Sequence, residues 1–290
     1  MPKIPAIDFG EIRRIAITAI FSDDILFDRV VLKGGNALSL VLGLSKRTSL
    51  DLDFSIENDF DDLDGIRNRI QTALESRFLA SGFIVFDFGF DSKPSVLKAG
   101  QSPRWGGYMA SFKVIEKGKY EELKGNPDAR RRDSLVIGPE SQRVFTIDLS
   151  KYEYVYGKLE MALDDYVIYV YSPTMIAIEK LRAICQQMPE YKLQLRPSAR
   201  ARDFYDIHLV VSLTRMNLNS PENLELVRHI FAAKEVPLWL MGRIKDQKEF
   251  HRPDWDSVRA SSNNPDLAVF DDYFDFVVEQ VNSMKALWEE

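Results

Sequence analysis

The chain has 290 residues, 45% of them apolar and 28% charged, and a net charge of −6 from 38 basic and 44 acidic side chains. Such a composition belongs to a soluble globular protein of one or two domains, and it excludes a general polycation that coats nucleic acid through a positive field. The lone cysteine, Cys185, rules out an internal disulfide and a cysteine-based zinc cluster. The opening MPKIPAIDFGEIRRIA has no basic stretch followed by a long apolar run. No window has the apolar length needed to cross a bilayer, so a cytoplasmic chain is expected.

In chain order, RVVLK, LDLDFSI, FIVFDFGF, YMASFKVI, RVFTIDLS and YVIYVY read as strands: short runs rich in Val, Ile, Phe and Tyr, interleaved with helical stretches. Two long polar connections flank the short strand at YMASFKVI. Helical spacing takes over near residue 171. SPTMIAIEKLRAICQQM opens with Ser172 as N-cap and Pro173 at the first helical position, with apolar residues at 175, 178, 181 and 185. PSARARDFYDIHLVVSL, PENLELVRHIFAAK and PDLAVFDDYFDFVVEQVNSMKALWEE follow the same logic. The expected fold is α/β (α+β): a mixed sheet flanked by helices over residues 1–170, with a helical C-terminal domain over 171–290.

The chemistry concentrates in LKGGNALSLVLGLSKRTSLDLDFSI, residues 32 to 56. Asp51 and Asp53 lie two apart in a strand pattern, so both face the side opposite Leu50, Leu52 and Phe54. Paired carboxylates repel unless a cation neutralises them or solvent screens them, and Mg²⁺, which takes a few carboxylates plus substrate phosphates, is the natural cation. Just upstream, a strand runs into Gly34-Gly35 and then a helix opening at Asn36 and Ala37. Glycines allow close backbone approach, and N–H groups at a helix start can hold an anion. Lys33, Gly34, Gly35 and Asn36, with Arg47, Thr48 and Ser49 beside the carboxylates, form a candidate triphosphate site. It is not a Walker loop, because no G-x-x-x-x-G-K-[ST] occurs.

The order of these motifs resembles the first motif of the nucleotidyltransferase superfamily. The fuller pattern K-G-G-x-A-L followed by R-[TF]-S-x-D-[LI]-D is similar to the AbiEii/AbiGii toxin branch, the toxin halves of bacterial abortive-infection and toxin–antitoxin pairs. Asn36 stands where members of that family usually carry Thr or Ser. The resemblance implies a nucleotidyltransferase-type sheet, Mg²⁺, a nucleoside triphosphate as substrate and a cognate antitoxin. It also implies roles for further residues. Asp148 in RVFTIDLS takes the position of the third metal-binding carboxylate. Lys180 in SPTMIAIEKLRAI takes that of a lysine reaching the triphosphate. Asp203 in ARARDFYDIHLV takes that of an acid orienting Lys180 or the nucleotide, with Asp206 as structural support.

Three classes of function stay open on the sequence. The first is nucleoside monophosphate transfer to RNA such as tRNA, with Arg196, Arg200 and Arg202 as candidate backbone contacts. The second is the same transfer to a protein or small molecule. The third is a non-catalytic nucleotide-binding interaction protein, against which the intact carboxylates argue. Other residues invite plainer readings. His208, His229 and His251 lack ligand spacing, Tyr152, Tyr154 and Tyr156 alternate like a packed strand face, Cys185 lies on an apolar helix face, and KGNPDARRRDS reads as a solvated surface.

Overall fold

The structure, a computed structural model, describes residues 9–45, 51–96, 102, 104–137, 141–193, 196–262 and 267–289. The order of elements is α1 (Phe9–Phe21), α2 (Asp24–Arg29), β1 (Val30–Lys33), α3 (Gly34–Asn36), β2 (Leu52–Ile56), α4 (Leu63–Ala80), β3 (Phe83–Lys93), β4 (Gly107–Glu116), α5 (Lys117–Glu122), α6 (Pro127–Asp133), β5 (Phe145–Ser150), β6 (Leu159–Leu163), β7 (Tyr166–Val170), α7 (Pro173–Cys185), α8 (Ala201–Thr214), α9 (Pro221–Ala233), α10 (Lys248–His251), α11 (Trp255–Ser261) and α12 (Phe270–Ser283). A π turn, Ala37–Val41, continues α3.

The seven strands form one mixed sheet in the order β3-β4-β5-β2-β1-β7-β6. β2 runs antiparallel to β1 and parallel to β5, while β1 and β7 are parallel. Alternation along the strands sorts the side chains. Leu52, Phe54 and Ile56 of β2 and Phe145, Ile147 and Leu149 of β5 are buried. On this side α1 and α4 pack together, and Phe21 meets Phe54 while Phe78 meets Phe112, which stacks on Phe145. Asp53, Asp148 and Ser150 project to the opposite face. The helices after β7 pack on one another, α7 against α8 and α9, and α8 against α12. Ser172 caps α7 by accepting the Met175 N–H at 3.3 Å, as its S-P pattern indicates.

Three sequence expectations are corrected. An additional strand, β6, pairs with β7 as a hairpin through Asp164, whose φ is +52°; its LEMAL run is mostly exposed and too short for alternation to show. The stretch holding Tyr152, Tyr154 and Tyr156 is not a strand, because Tyr152 is left-handed at φ +56° and breaks the extended run. β4 spans ten residues, and the polar connection after it folds into α5 and α6. Among the described residues no helix is long and apolar enough to cross a membrane.

Candidate active site

Register builds the site. Lys33 on β1 pairs with Asp53 on β2, which pairs with Asp148 on β5, so one row of the sheet carries a lysine and two carboxylates on the same face. Adjacent strands lie about 4.8 Å apart, a spacing at which two carboxylates repel strongly. Burial pushes the Asp53 carboxyl up to about 6; Lys33 opposes that rise, while Asp148, Glu179 and Asp51 add to it.

Gly34 packs directly against this row. Its φ is +72°, and a Cβ there would stand 2.6 Å from Asp53 Oδ2, so only glycine lets the β1–α3 turn lie over the carboxylate. Asn36 is fully buried, and both ends of its amide are engaged. Nδ2 donates to the Asp51 carbonyl at 2.6 Å, and Oδ1 accepts from Arg13 Nη1 at 3.1 Å. It thus ties α1 to the entry of β2, a brace that Ser or Thr is too short to span. Asp51 sits on the bend before β2, where Oδ1 accepts the Thr146 hydroxyl at 2.8 Å. Arg47, Thr48 and Ser49 lie outside the described residues.

Beside the row lies a buried ionic network to which nothing in the sequence pattern pointed. Lys33 Nζ stands 3.4 Å from both Glu153 and Glu179. Arg182 of α7 donates to Glu153 at 2.7 Å, and Lys234, at the end of α9, lies 3.6 Å from Glu153. Burial alone would raise the Glu153 pKa, but Arg182, Lys33 and Lys234 outweigh it and hold it well below the usual carboxylate range. Burial drives Lys234 the other way, down to about 8, against the pull of Glu153. Buried ions persist only when paired and hydrogen-bonded, so this cluster fixes how α7 and α9 meet the sheet.

Lys180 faces elsewhere. Its ammonium is buried 2.8 Å from both Asp203 and Asp206 of α8, whose positions three apart share one helix face. Burial would lower its pKa, but the two carboxylates raise it. Asp203 also accepts from Arg200, and the Arg200 backbone N–H donates to His251 Nδ1 at 3.0 Å. Arg200 carries the connection onward, because it lines the same cavity as Asp53.

That cavity, about 630 Å³, opens over the row. Its floor is Asp53, Asp148 and Ser150, and one wall is Glu179 and Arg182 of α7. Trp105 adds an aromatic residue to the lining, and Lys93, Arg196, Arg200 and Lys234 supply cations. Arg202 lines a separate small depression with Asp203 and Asp254. The α6 arginines stay with local partners, Arg131 on Asp87 and Arg130 over the Tyr120 ring.

The donor set suits a hard divalent ion. Asp53 and Asp148 offer adjacent carboxylates, and a cationic nitrogen, Lys93 Nζ, already sits across both Asp148 oxygens at 2.8 and 2.9 Å. Among the described residues no group of three or more acidic, histidine or cysteine side chains is arranged to hold an ion unaided.

Comparison with solved structures shows likeness to JHP933 from Helicobacter pylori, at 16% identity and TM-score 0.48 over 96% of this chain and 91% of that one. It also shows likeness to MenT4, a nucleotidyltransferase toxin from Mycobacterium tuberculosis H37Rv, at 15% identity and TM-score 0.47 over 96% and 82%. No curated protein matches the sequence. The family described as "Nucleotidyl transferase AbiEii toxin, Type IV TA system" matches residues 15–280, nearly the whole chain. A chain matched over that length, with Gly34 folded against Asp53 and Asp148 beside it, belongs to the AbiEii family of nucleotidyltransferase toxins.

Proposed function

We propose that the cavity binds a nucleoside triphosphate with Mg²⁺ and that the protein transfers the nucleoside monophosphate to an RNA hydroxyl, with tRNA the leading acceptor. The observation that carries this reading is the placement of Asp53 and Asp148 side by side at the floor of a cation-rimmed cavity of about 630 Å³, within the size range of small-molecule sites. The acceptor oxygen attacks the α-phosphorus, the bond from that phosphorus to the bridging oxygen breaks, and pyrophosphate leaves with the bond's electron pair. The hydroxyl proton passes to Asp148. Asp53 and Asp148, with Asp51 alongside, would hold a divalent ion, which would supply charge neutralisation on the phosphates.

The chain's own groups do the positioning. Gly34 and Gly35 let the phosphates approach the backbone, with Lys33 beneath them. Lys180 and Asp203 act as a positioning pair that sets Arg200 against the phosphates. Arg196 contacts the RNA backbone. In this reading residues 1–170 hold the chemistry, residues 171–290 form a domain that supplies one wall, and a cognate antitoxin restrains the enzyme in the cytoplasm.

Incubation with each α-labelled triphosphate, Mg²⁺ and total RNA tests the assignment. Label is expected on RNA of tRNA size. Label appearing only on protein or on a small molecule would move the acceptor to the second class, and transfer to no acceptor would defeat the proposal.

A further inference from the structure

Lys93 closes β3 at the edge of the sheet and pairs with Gly107 on β4, which in turn pairs with Ser150 on β5. Gly107 leaves that position without a side chain. A Cβ there would meet the Leu149 carbonyl at 1.8 Å, so close approach of β4 to β5 requires glycine. Over this gap the Lys93 side chain crosses one strand and sets its ammonium on both oxygens of Asp148. An ammonium in that place and a divalent ion bound by the same carboxylate compete for the same lone pairs and repel each other.

Exposure separates Lys93 from the three buried cations of the cavity, Lys33, Arg182 and Lys234. Its side chain is 57% exposed, whereas those of Lys33, Lys234 and Arg182 are 11%, 5% and 3% exposed and held among Glu153 and Glu179. Ion pairs in contact with solvent are worth little and exchange readily, while buried ones do not. We propose that Lys93 is a displaceable counter-ion. It neutralises Asp148 before substrate arrives, is released when a divalent ion and a nucleoside triphosphate enter together, and then places its ammonium on the triphosphate. The identity of the ligand rests on the nucleotidyl-transfer reading; the competition at Asp148 does not. The device keeps the carboxylate pair neutralised without nucleotide and makes metal and nucleotide binding mutually dependent.

Mn²⁺ serves as the metal probe, with a triphosphate whose α,β-bridge is methylene as the inert nucleotide. In the nucleotide-free protein, Lys93→Met is expected to bind Mn²⁺ about fivefold more tightly by calorimetry, which corresponds to about 1 kcal/mol. At saturating Mn²⁺ the same variant is expected to bind the methylene analogue about tenfold more weakly, and Lys93→Arg is expected to keep wild-type values for both. A substitution that merely damaged the strand end would weaken both ligands. Lys93→Gln repeats the experiment if Lys93→Met fails to fold. Unchanged or weaker Mn²⁺ binding in the neutral variants, or nucleotide binding equal to wild type, overturns the proposal. If the Mn²⁺ result holds in a protein that transfers no nucleotide, the functional reading falls and the displacement stands.

Discussion

Substituting Gly34 by alanine separates the two demands this glycine meets. At φ +72° a residue with a Cβ costs about 1–2 kcal/mol, which lowers the melting temperature of a chain of this size by about 2–6 °C. The added carbon would stand 2.6 Å from Asp53 Oδ2, so the carboxylate must retreat by about 0.8 Å to regain van der Waals contact. A displacement near 1 Å at a reacting centre can cost about a hundredfold in rate, and Asp53 is at that centre in our reading. Gly43 provides the control, because its φ is +64° and a Cβ there meets nothing within 4 Å. Gly34→Ala and Gly43→Ala are therefore expected to lose similar stability by thermal denaturation. Only Gly34→Ala should lose nucleotide transfer by about two orders of magnitude. Equal transfer by the two variants would refute the argument that the Gly34 backbone is shaped around Asp53.

Two further outcomes follow from the buried charges. Because Lys234 ionises near 8 in the folded protein and 10.5 ordinarily, the unfolded chain binds the extra proton between those values, so its contribution makes stability rise across that window by about 3 kcal/mol. The same deprotonation removes a cation from the cavity, so nucleotide affinity measured by calorimetry should weaken above pH 8 in wild type and not in Lys234→Arg; superimposable profiles would contradict this. Lys180→Met leaves Asp203 and Asp206 buried without their shared ammonium, and a loss of about 3–5 kcal/mol in denaturant unfolding is expected. A loss under 1 kcal/mol would show that other groups compensate these carboxylates.

Gly34, Asp51 and Asp53 were legible because their signals are local: a glycine pair between a strand and a helix, and acids at strand period. Asp148 required one step more, since its place beside Asp53 depends on parallel pairing between strands ninety residues apart, and only the family resemblance supplied it. Lys93, Glu153 and Lys234 carried no signal. Each lies in an unremarkable local sequence, and the three reach the site from the sheet edge, the connection after β5 and the end of α9. Lys180 shows the reverse case. Its place in a helix motif was clear, but the direction of its side chain was set by the two aspartates of α8 that face it. Asn36 departs from the family pattern for a reason visible only in three dimensions, namely the span between Arg13 and the Asp51 carbonyl.

If Asp53 and Asp148 carry nucleotidyl transfer, the stoichiometry of the reaction shows it most directly. With an α-labelled triphosphate, Mg²⁺ and tRNA, wild type should release one pyrophosphate for each nucleotide incorporated, and Asp53→Asn, matched for folding by circular dichroism, should do neither. Release of inorganic phosphate without incorporation, or undiminished transfer by Asp53→Asn, would contradict it.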